Sequence, residues 1–309
     1  QREESAPASL DSSYDRGDVP PPSLTSARID RSIKSTIKGS VAVVKSENKV
    51  ADNGTPVIPR EFFHACMVPP RVTSLASLKT VGSNKKKAKK SKHSRFSELA
   101  DTAAASLKAN GWAVVDNFAG LETIEKVRME IRQLETQYEK GEIWVGKEAD
   151  IGAQIAVSSV RGDKVLWVDK EGLHNGPFST FRELMNSIDK FVVKELGSRV
   201  PRLRHATERS DPMLAIYPGG GTRFQKHVDN TAEDGRVLTV LCYLNLTWDP
   251  RLGGSLRLHP KVGHTDGDAT PVDVCPSGGR LAMFWADKTP HEVLPCAGGP
   301  RHAVTLWFY

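Results

Sequence analysis

From Met213 to Tyr309 the chain alternates short apolar, β-prone segments with glycine turns, and this pattern restricts the fold more than any other feature. The segments are Leu214–Tyr217, Val237–Asn245, Ser255–His259, Leu281–Trp285 and His302–Tyr309. Gly219-Gly220-Gly221, Gly253-Gly254 and Gly278-Gly279 separate them. Short strands at regular spacing with glycine turns predict an antiparallel sandwich or barrel. Four residues with chemistry to offer fall into this frame: His227, Asp229, His291 and Arg301. His227 and Asp229 are two positions apart, so a strand puts them on one face and a tight strand end can aim both at one point. His291 comes 62 positions after Asp229, far enough for a returning strand to bring it alongside. Two imidazoles and one carboxylate on one face of a metal leave three positions open, the facial triad suited to non-haem Fe(II). Arg301 opens the apolar run that ends at Tyr309. A guanidinium at the mouth of a core strand needs a partner, and a small dicarboxylate supplies a bidentate one. Any one of the four is a common accident; the four in this order on alternating β segments are not.

These residues also carry a resemblance. The run Met213-Leu214-Ala215-Ile216-Tyr217-Pro218-Gly219-Gly220-Gly221-Thr222 and the stretches His227-Val228-Asp229-Asn230 and Asp234-Gly235-Arg236 resemble the oxygen-sensing prolyl 4-hydroxylases that act on hypoxia-inducible factor. Tyr243-Leu244-Asn245, Trp248-Asp249, Pro290-His291-Glu292-Val293 and the final strand do the same. The similarity runs from about Phe96 to the last residue. It implies an α+β domain built on a double-stranded β-helix, a jelly-roll core backed by helices. It further implies Fe(II) held by His227, Asp229 and His291, with 2-oxoglutarate and O2 as cosubstrates and ascorbate as reductant. Arg301 then binds the far carboxylate of 2-oxoglutarate, and Tyr243 donates its hydroxyl to the same group. Tyr217, Thr305 and Met213 complete the cosubstrate pocket; Thr305 shares a strand face with Arg301 and Trp307. Trp307 and Arg236 match positions near the substrate proline, and Asp163 with Arg236 matches a pair that ties a loop to the metal-bearing strand. Two departures bear on the substrate. Phe224 stands where animal members tend to carry tyrosine, and the chain stops on the last core strand where those members continue. Hypoxia-inducible factor, a ubiquitin-ligase adaptor and a translation factor all stay open as the substrate protein.

Upstream, residues 1–95 are rich in Ser, Pro, Lys and Asp, with Pro20-Pro21-Pro22 and few aromatics. Such a composition buries too little apolar surface to offset ordering its backbone, so a largely disordered N-terminal region is expected, with the catalytic domain at 96–309. Pro59 to Leu78, holding Phe62, Phe63 and Met67, is the one stretch there that could dock or strap. The run Lys85-Lys86-Lys87-Ala88-Lys89-Lys90-Ser91-Lys92 supplies much of the net charge of +6 and suits a linker first and a nuclear address second. It lacks interleaved aromatics, which argues against nucleic acid as a partner. Within the domain, Ser97 is expected to cap a helix that Gly111 stops, and Trp112–Val115 to form a strand. Leu121, Ile124, Val127, Ile131, Leu134 and Tyr138 predict one long amphipathic helix, and Phe181 to Val192 another. By the resemblance, about Lys140 to Val160 is a mobile loop over the substrate, with Gly141, Gly146 and Gly152 as flexible points. Arg161-Gly162-Asp163 matches an integrin-binding tripeptide only by pattern, since no secretory signal opens the chain.

Four cysteines without metal or redox spacing, no apolar run near the ~20 residues of a membrane span, and no signal core point to a reducing compartment. The expectation is a cytoplasmic, and secondarily nuclear, monomer: a 2-oxoglutarate-dependent dioxygenase that hydroxylates C4 of a proline in a protein substrate. Two alternatives stand beside it: an oxygenase acting on lysine or a nucleic-acid base, and an inactive oxygenase fold serving as a basic adaptor.

Overall fold

The structure is a computed structural model that describes residues 63–66, 71–79, 90–148, 151–231, 233–260 and 270–309. Strands β1 (Phe63–Cys66) and β2 (Val72–Ser74) precede helix α1 (Lys90–Asn110) and strand β3 (Trp112–Val115). Helix α2 (Leu121–Ile131) leads to β4 (Glu139–Lys140), β5 (Ile143–Glu148), β6 (Ile151–Ile155) and β7 (Lys164–Trp167). Helices α3 (Lys170–Asn175) and α4 (Ser179–Lys190) follow. The remaining strands are β8 (Glu208–Ser210), β9 (Met213–Tyr217), β10 (Thr222–His227), β11 (Leu238–Tyr243), β12 (Leu256–Leu258), β13 (Val272–Val274), β14 (Leu281–Trp285), β15 (His291–Cys296) and β16 (Arg301–Phe308).

A major sheet runs in the order β3-β14-β11-β16-β9-β7-β4, with β8 added beside β16 and β2 beside β8. A minor sheet runs β10-β15-β12-β13, and the described pairings in both are antiparallel. This is the expected jelly-roll core. The sequence produces it through period-two strands whose two sides are both buried. Along β16, Val304, Leu306 and Phe308 join Val240, Cys242 and Met283 against the helices, where α1 contributes Ala103 and Leu107, α2 Ile124 and Val127, and α4 Phe181 and Ile188. The alternate residues Arg301, Ala303, Thr305 and Trp307 face the interior between the sheets. Each large apolar side chain removed from water on the helix side contributes about 1.5–3 kcal/mol before entropy is counted.

Several expectations shift. Helix α1 begins at Lys90, so Ser97 sits inside it and caps nothing. Lys90–Lys92 thereby belongs to a helix rather than a linker; the rest of the lysine run lies outside the described residues, as do residues 1–62, including Phe62, and Met67. Helix α2 ends at Ile131, and a 3₁₀ turn over Arg132–Gln137 replaces the expected continuation to Tyr138. Its buried face is Ile124, Val127 and Ile131, while Tyr138 is already extended to enter β4. Leu121, at the first position of α2, is 53% exposed instead of buried. Residues 71–79 pack on the domain although they precede Phe96: Val72 pairs with Ser210, Leu75 is buried, and Leu75 N–H donates to Thr207 O. The stretch expected as a loop from Lys140 holds the β5–β6 hairpin, which β1 extends to three strands. The Arg161-Gly162-Asp163 tripeptide is buried, its charges paired with each other at 2.7 and 3.0 Å.

Candidate active site

Strands β10 and β15, which no apolar alternation announced, carry the centre of the site. Only about every third residue of β10 is buried, so its sequence reads as polar. His227 ends β10 directly opposite His291, which starts β15. His227 Nδ1 lies 2.7 Å from Gln225 O, and His291 Nδ1 lies 3.0 Å from Thr289 O. With Nδ1–H donating to those carbonyls, each Nε2 keeps its lone pair for a metal. The Nε2 atoms stand 3.4 and 3.5 Å from the same Asp229 Oδ1. Asp229 Oδ2 accepts from Thr239 Oγ1–H at 2.6 Å and from Trp307 Nε1–H at 3.0 Å, so Oδ1 is the atom left to the metal. Ligand atoms of the three residues lie within 4.8 Å of one another, and all three are buried. Burial alone would raise the Asp229 carboxyl, but the His291 and His227 imidazoles outweigh it and hold it well below the usual range. Burial, with His291 beside it, pushes His227 down. Both shifts favour the deprotonated forms that ligate. Phe224 stacks on His227 with ring centres 3.8 Å apart, and Phe284 lies 4.2 Å from His291.

A pocket extends from the triad along the inner face of the major sheet to Arg301, walled by Met213, Ala215, Tyr217, Leu241, Ala303 and Thr305. Cross-strand register sets this wall: Arg301 faces Tyr217, Ala303 faces Ala215 and Tyr243, and Thr305 faces Met213 and Leu241. The alanines leave the middle open. Arg301 is 1% exposed and lies between the rings of Tyr217 and Tyr243, 4.9 and 5.1 Å from their centres. Its Nε–H donates to Gly254 O at 2.7 Å, whereas Nη2 has no partner among the described residues. A side chain at residue 254 would come within 3.1 Å of Arg301 Cδ, and φ there is +69°, so glycine is what allows the approach. The Tyr243 hydroxyl is also buried without a hydrogen-bond partner among the described residues, and burial pushes its phenol up. A buried guanidinium and a buried hydroxyl left open at one end of a pocket call for an anion with acceptor oxygens.

A model of the 2OG-Fe(II) oxygenase superfamily matches residues 212–309. The hypoxia-inducible factor prolyl hydroxylase of Caenorhabditis elegans is 38% identical over 218 residues, 69% of this chain and 28% of that protein. Prolyl hydroxylase EGLN3 of Mus musculus is 36% identical over 203 residues, 64% of this chain and 78% of that protein. The chain belongs to this prolyl hydroxylase family. A solved prolyl hydroxylase of Trichoplax adhaerens, in complex with a hypoxia inducible factor oxygen degradation domain peptide, superposes with a TM-score of 0.58 at 28% identity. That match covers 72% of this chain and 94% of the other. The chain spans only 28% of the nematode relative and 56% of rat Egl nine homolog 1.

Membership of the 2OG-Fe(II) oxygenases implies Fe(II), 2-oxoglutarate and O2, and the donors fit them: two imidazole nitrogens and a carboxylate oxygen at one end, an unsatisfied guanidinium at the other. The structure brings His227, Asp229, His291, Arg301, Tyr217, Thr305, Met213 and Trp307 to one cavity. Tyr243 stands behind Arg301. Arg236 lies over the Trp307 ring at 5.7 Å, and Trp167 meets the same ring at 5.8 Å. The expected Asp163–Arg236 pair is not among the contacts seen; Asp163 is held by Arg161 within its own segment, and Arg236 by Asp234 at 2.6 Å, each two residues away. Sequence reasoning missed Thr239, although it shares a strand face with Leu241 and Tyr243 and period two would have found it. It also missed Arg161, whose guanidinium lies 4.8 Å over Phe224 inside the pocket; no spacing signals that contact.

Proposed function

We propose that this chain is an Fe(II)- and 2-oxoglutarate-dependent dioxygenase that hydroxylates C4 of a proline in a protein substrate, in oxygen sensing. The observation that carries it is the pairing of a His227/Asp229/His291 ligand set with an unsatisfied Arg301 Nη2 at the far end of the same pocket. When bound, Fe(II) and 2-oxoglutarate supply the oxidant for an unactivated C–H bond. The remaining work belongs to the chain. Arg301 and the Tyr243 hydroxyl would hold the far carboxylate, and Tyr217, Thr305 and Met213 would wall the cosubstrate. Phe224 and Phe284 keep water from the imidazoles, where a dry site strengthens every charge interaction. Thr239 and Trp307 fix Asp229 so that one oxygen points at the metal. Trp307, with Trp167 and Arg236 around it, would meet the substrate proline. Ascorbate would keep the metal reduced between turnovers.

The nematode relative is named for hypoxia-inducible factor and the Trichoplax enzyme is in complex with a peptide of it, which supports a protein bearing a target proline as partner. We place the enzyme in the cytoplasm and secondarily the nucleus, as a monomer without a nucleic-acid or membrane partner. No helix among the described residues is long and apolar enough to cross a membrane. Mass spectrometry of lysate proteins treated with active enzyme or with Asp229→Ala tests this function. A gain of one oxygen on proline, dependent on 2-oxoglutarate, is the expected result; oxygen appearing only on lysine, or on no residue at all, would overturn it.

A further inference from the structure

Behind the candidate active site, on the helix side of β16, lies a second hollow of about 230 Å³ that opens to solvent. Two polar groups line it with nothing to bind. His302 is 6% exposed, and its Nε2 has no hydrogen-bond partner among the described residues. The backbone of this residue is fixed from both sides: Asn245 Oδ1 accepts from His302 N at 2.8 Å, and Asn245 Nδ2 donates to His302 O at 3.3 Å. With the backbone held in place, its ring projects into the hollow. Arg128 of α2 also lines it, half-buried, and its guanidinium makes no hydrogen bond or ion pair among the described residues. Burial pushes its guanidinium below the ordinary value, and Tyr138 and Glu135 act on it only through space. Arginine stays charged under such a shift. The rest of the lining is mostly apolar, with Trp248, Leu252 and Pro300 the larger surfaces.

The charges set the ligand class. Burial, reinforced by Arg128 and Arg301, lowers His302 to about 3, so at neutral pH the imidazole is uncharged, and in its Nε2–H tautomer it can donate into the hollow. Arg128 is then the single positive charge among these lining side chains, which suits a monoanion better than a dianion. Apolar walls next to that charge suit an anion with a hydrocarbon body.

We propose that this hollow binds a small monocarboxylate with an apolar body, its carboxylate taken by Arg128 and His302 Nε2–H and its body by Trp248, Leu252 and Pro300. The site is separate from the pocket at Arg301, which faces the opposite side of β16, and the proposal does not depend on prolyl hydroxylation. Occupancy would anchor the residue next to Arg301, giving a carboxylate metabolite a physical route to the cosubstrate end of the active site.

Calorimetric titration of the full chain with butyrate tests it, with Mn(II) and 2-oxoglutarate present to fill the other pocket. Butyrate should bind while butanol does not. Arg128→Gln, on a half-exposed helix face, should weaken butyrate about tenfold or more, the usual effect of losing a charged hydrogen bond. His302→Phe should weaken it less, and both variants should keep the affinity for 2-oxoglutarate. Absence of butyrate binding, or equal affinity in Arg128→Gln, would overturn the site. Inorganic phosphate binding as tightly as butyrate would overturn the ligand class.

Discussion

On the helix side of the major sheet, β16 presents Val304, Leu306 and Phe308, each fully buried among apolar neighbours. On the inner side the same strand presents Arg301, Thr305 and Trp307, just as buried, with Arg301 Nη2 left unpaired and Trp307 Nε1–H spent on Asp229. Neighbouring residues of one strand thus serve opposite ends. The helix side is filled to lower the free energy of the fold, and the inner side keeps polar groups that the fold alone does not satisfy. Buried polar groups cost stability unless something pairs them, so a face that keeps them unpaired is arranged around a ligand.

Substitutions on the two faces should therefore separate activity from stability. The largest effect is expected at the metal. Asp229→Ala should bring 2-oxoglutarate-dependent turnover to background while the thermal midpoint without metal stays within a few degrees, because β10 and β11 are held by packing; near-normal turnover would end the triad assignment. Next in size, Leu306→Ala should cost about 2–5 kcal/mol in denaturant unfolding, with the Michaelis constant for 2-oxoglutarate unchanged in the folded fraction. If Leu306→Ala instead altered cosubstrate affinity at constant stability, the division between the faces would be wrong. Arg301→Lys keeps the charge and loses the fork, so the Michaelis constant for 2-oxoglutarate should rise about tenfold or more, with little change in unfolding. The smallest change is Thr239→Val, which removes one hydrogen bond to Asp229 Oδ2 and leaves that of Trp307. Metal affinity should fall about tenfold, read by competition with a chelator, and an unchanged value would show that Trp307 alone positions the carboxylate.

Much of this was legible in the sequence because period-two burial is a local property. The inner and outer faces of β9, β11, β14 and β16 follow from alternation once the glycine turns bound them, and the His-x-Asp spacing with a later histidine predicts the ligand set. The N-terminal strap at residues 71–79 was legible only as one option for Pro59 to Leu78. Leu75 is buried in the core cluster and Val72–Ser74 pair with strand β8, more than a hundred residues away, and nothing local announces that pairing. Strands β10 and β15 were hidden for a related reason: one side of each is exposed, and its inward positions include histidines, which count as polar in any hydrophobic pattern.

By itself the sequence determined the residue types that can ligate Fe(II) and grip a dicarboxylate, their order, and the sheet faces they occupy. These depend on side-chain chemistry and on the two-residue repeat of a strand. Only the tertiary structure decided which polar groups meet. It paired Asp163 with Arg161, gave Asp229 its second oxygen contacts from Thr239 and Trp307, and left Arg301 Nη2, the Tyr243 hydroxyl and His302 Nε2 without partners among the described residues. Pairing is a matter of distance and direction between segments far apart in the chain, and neither composition nor spacing encodes it.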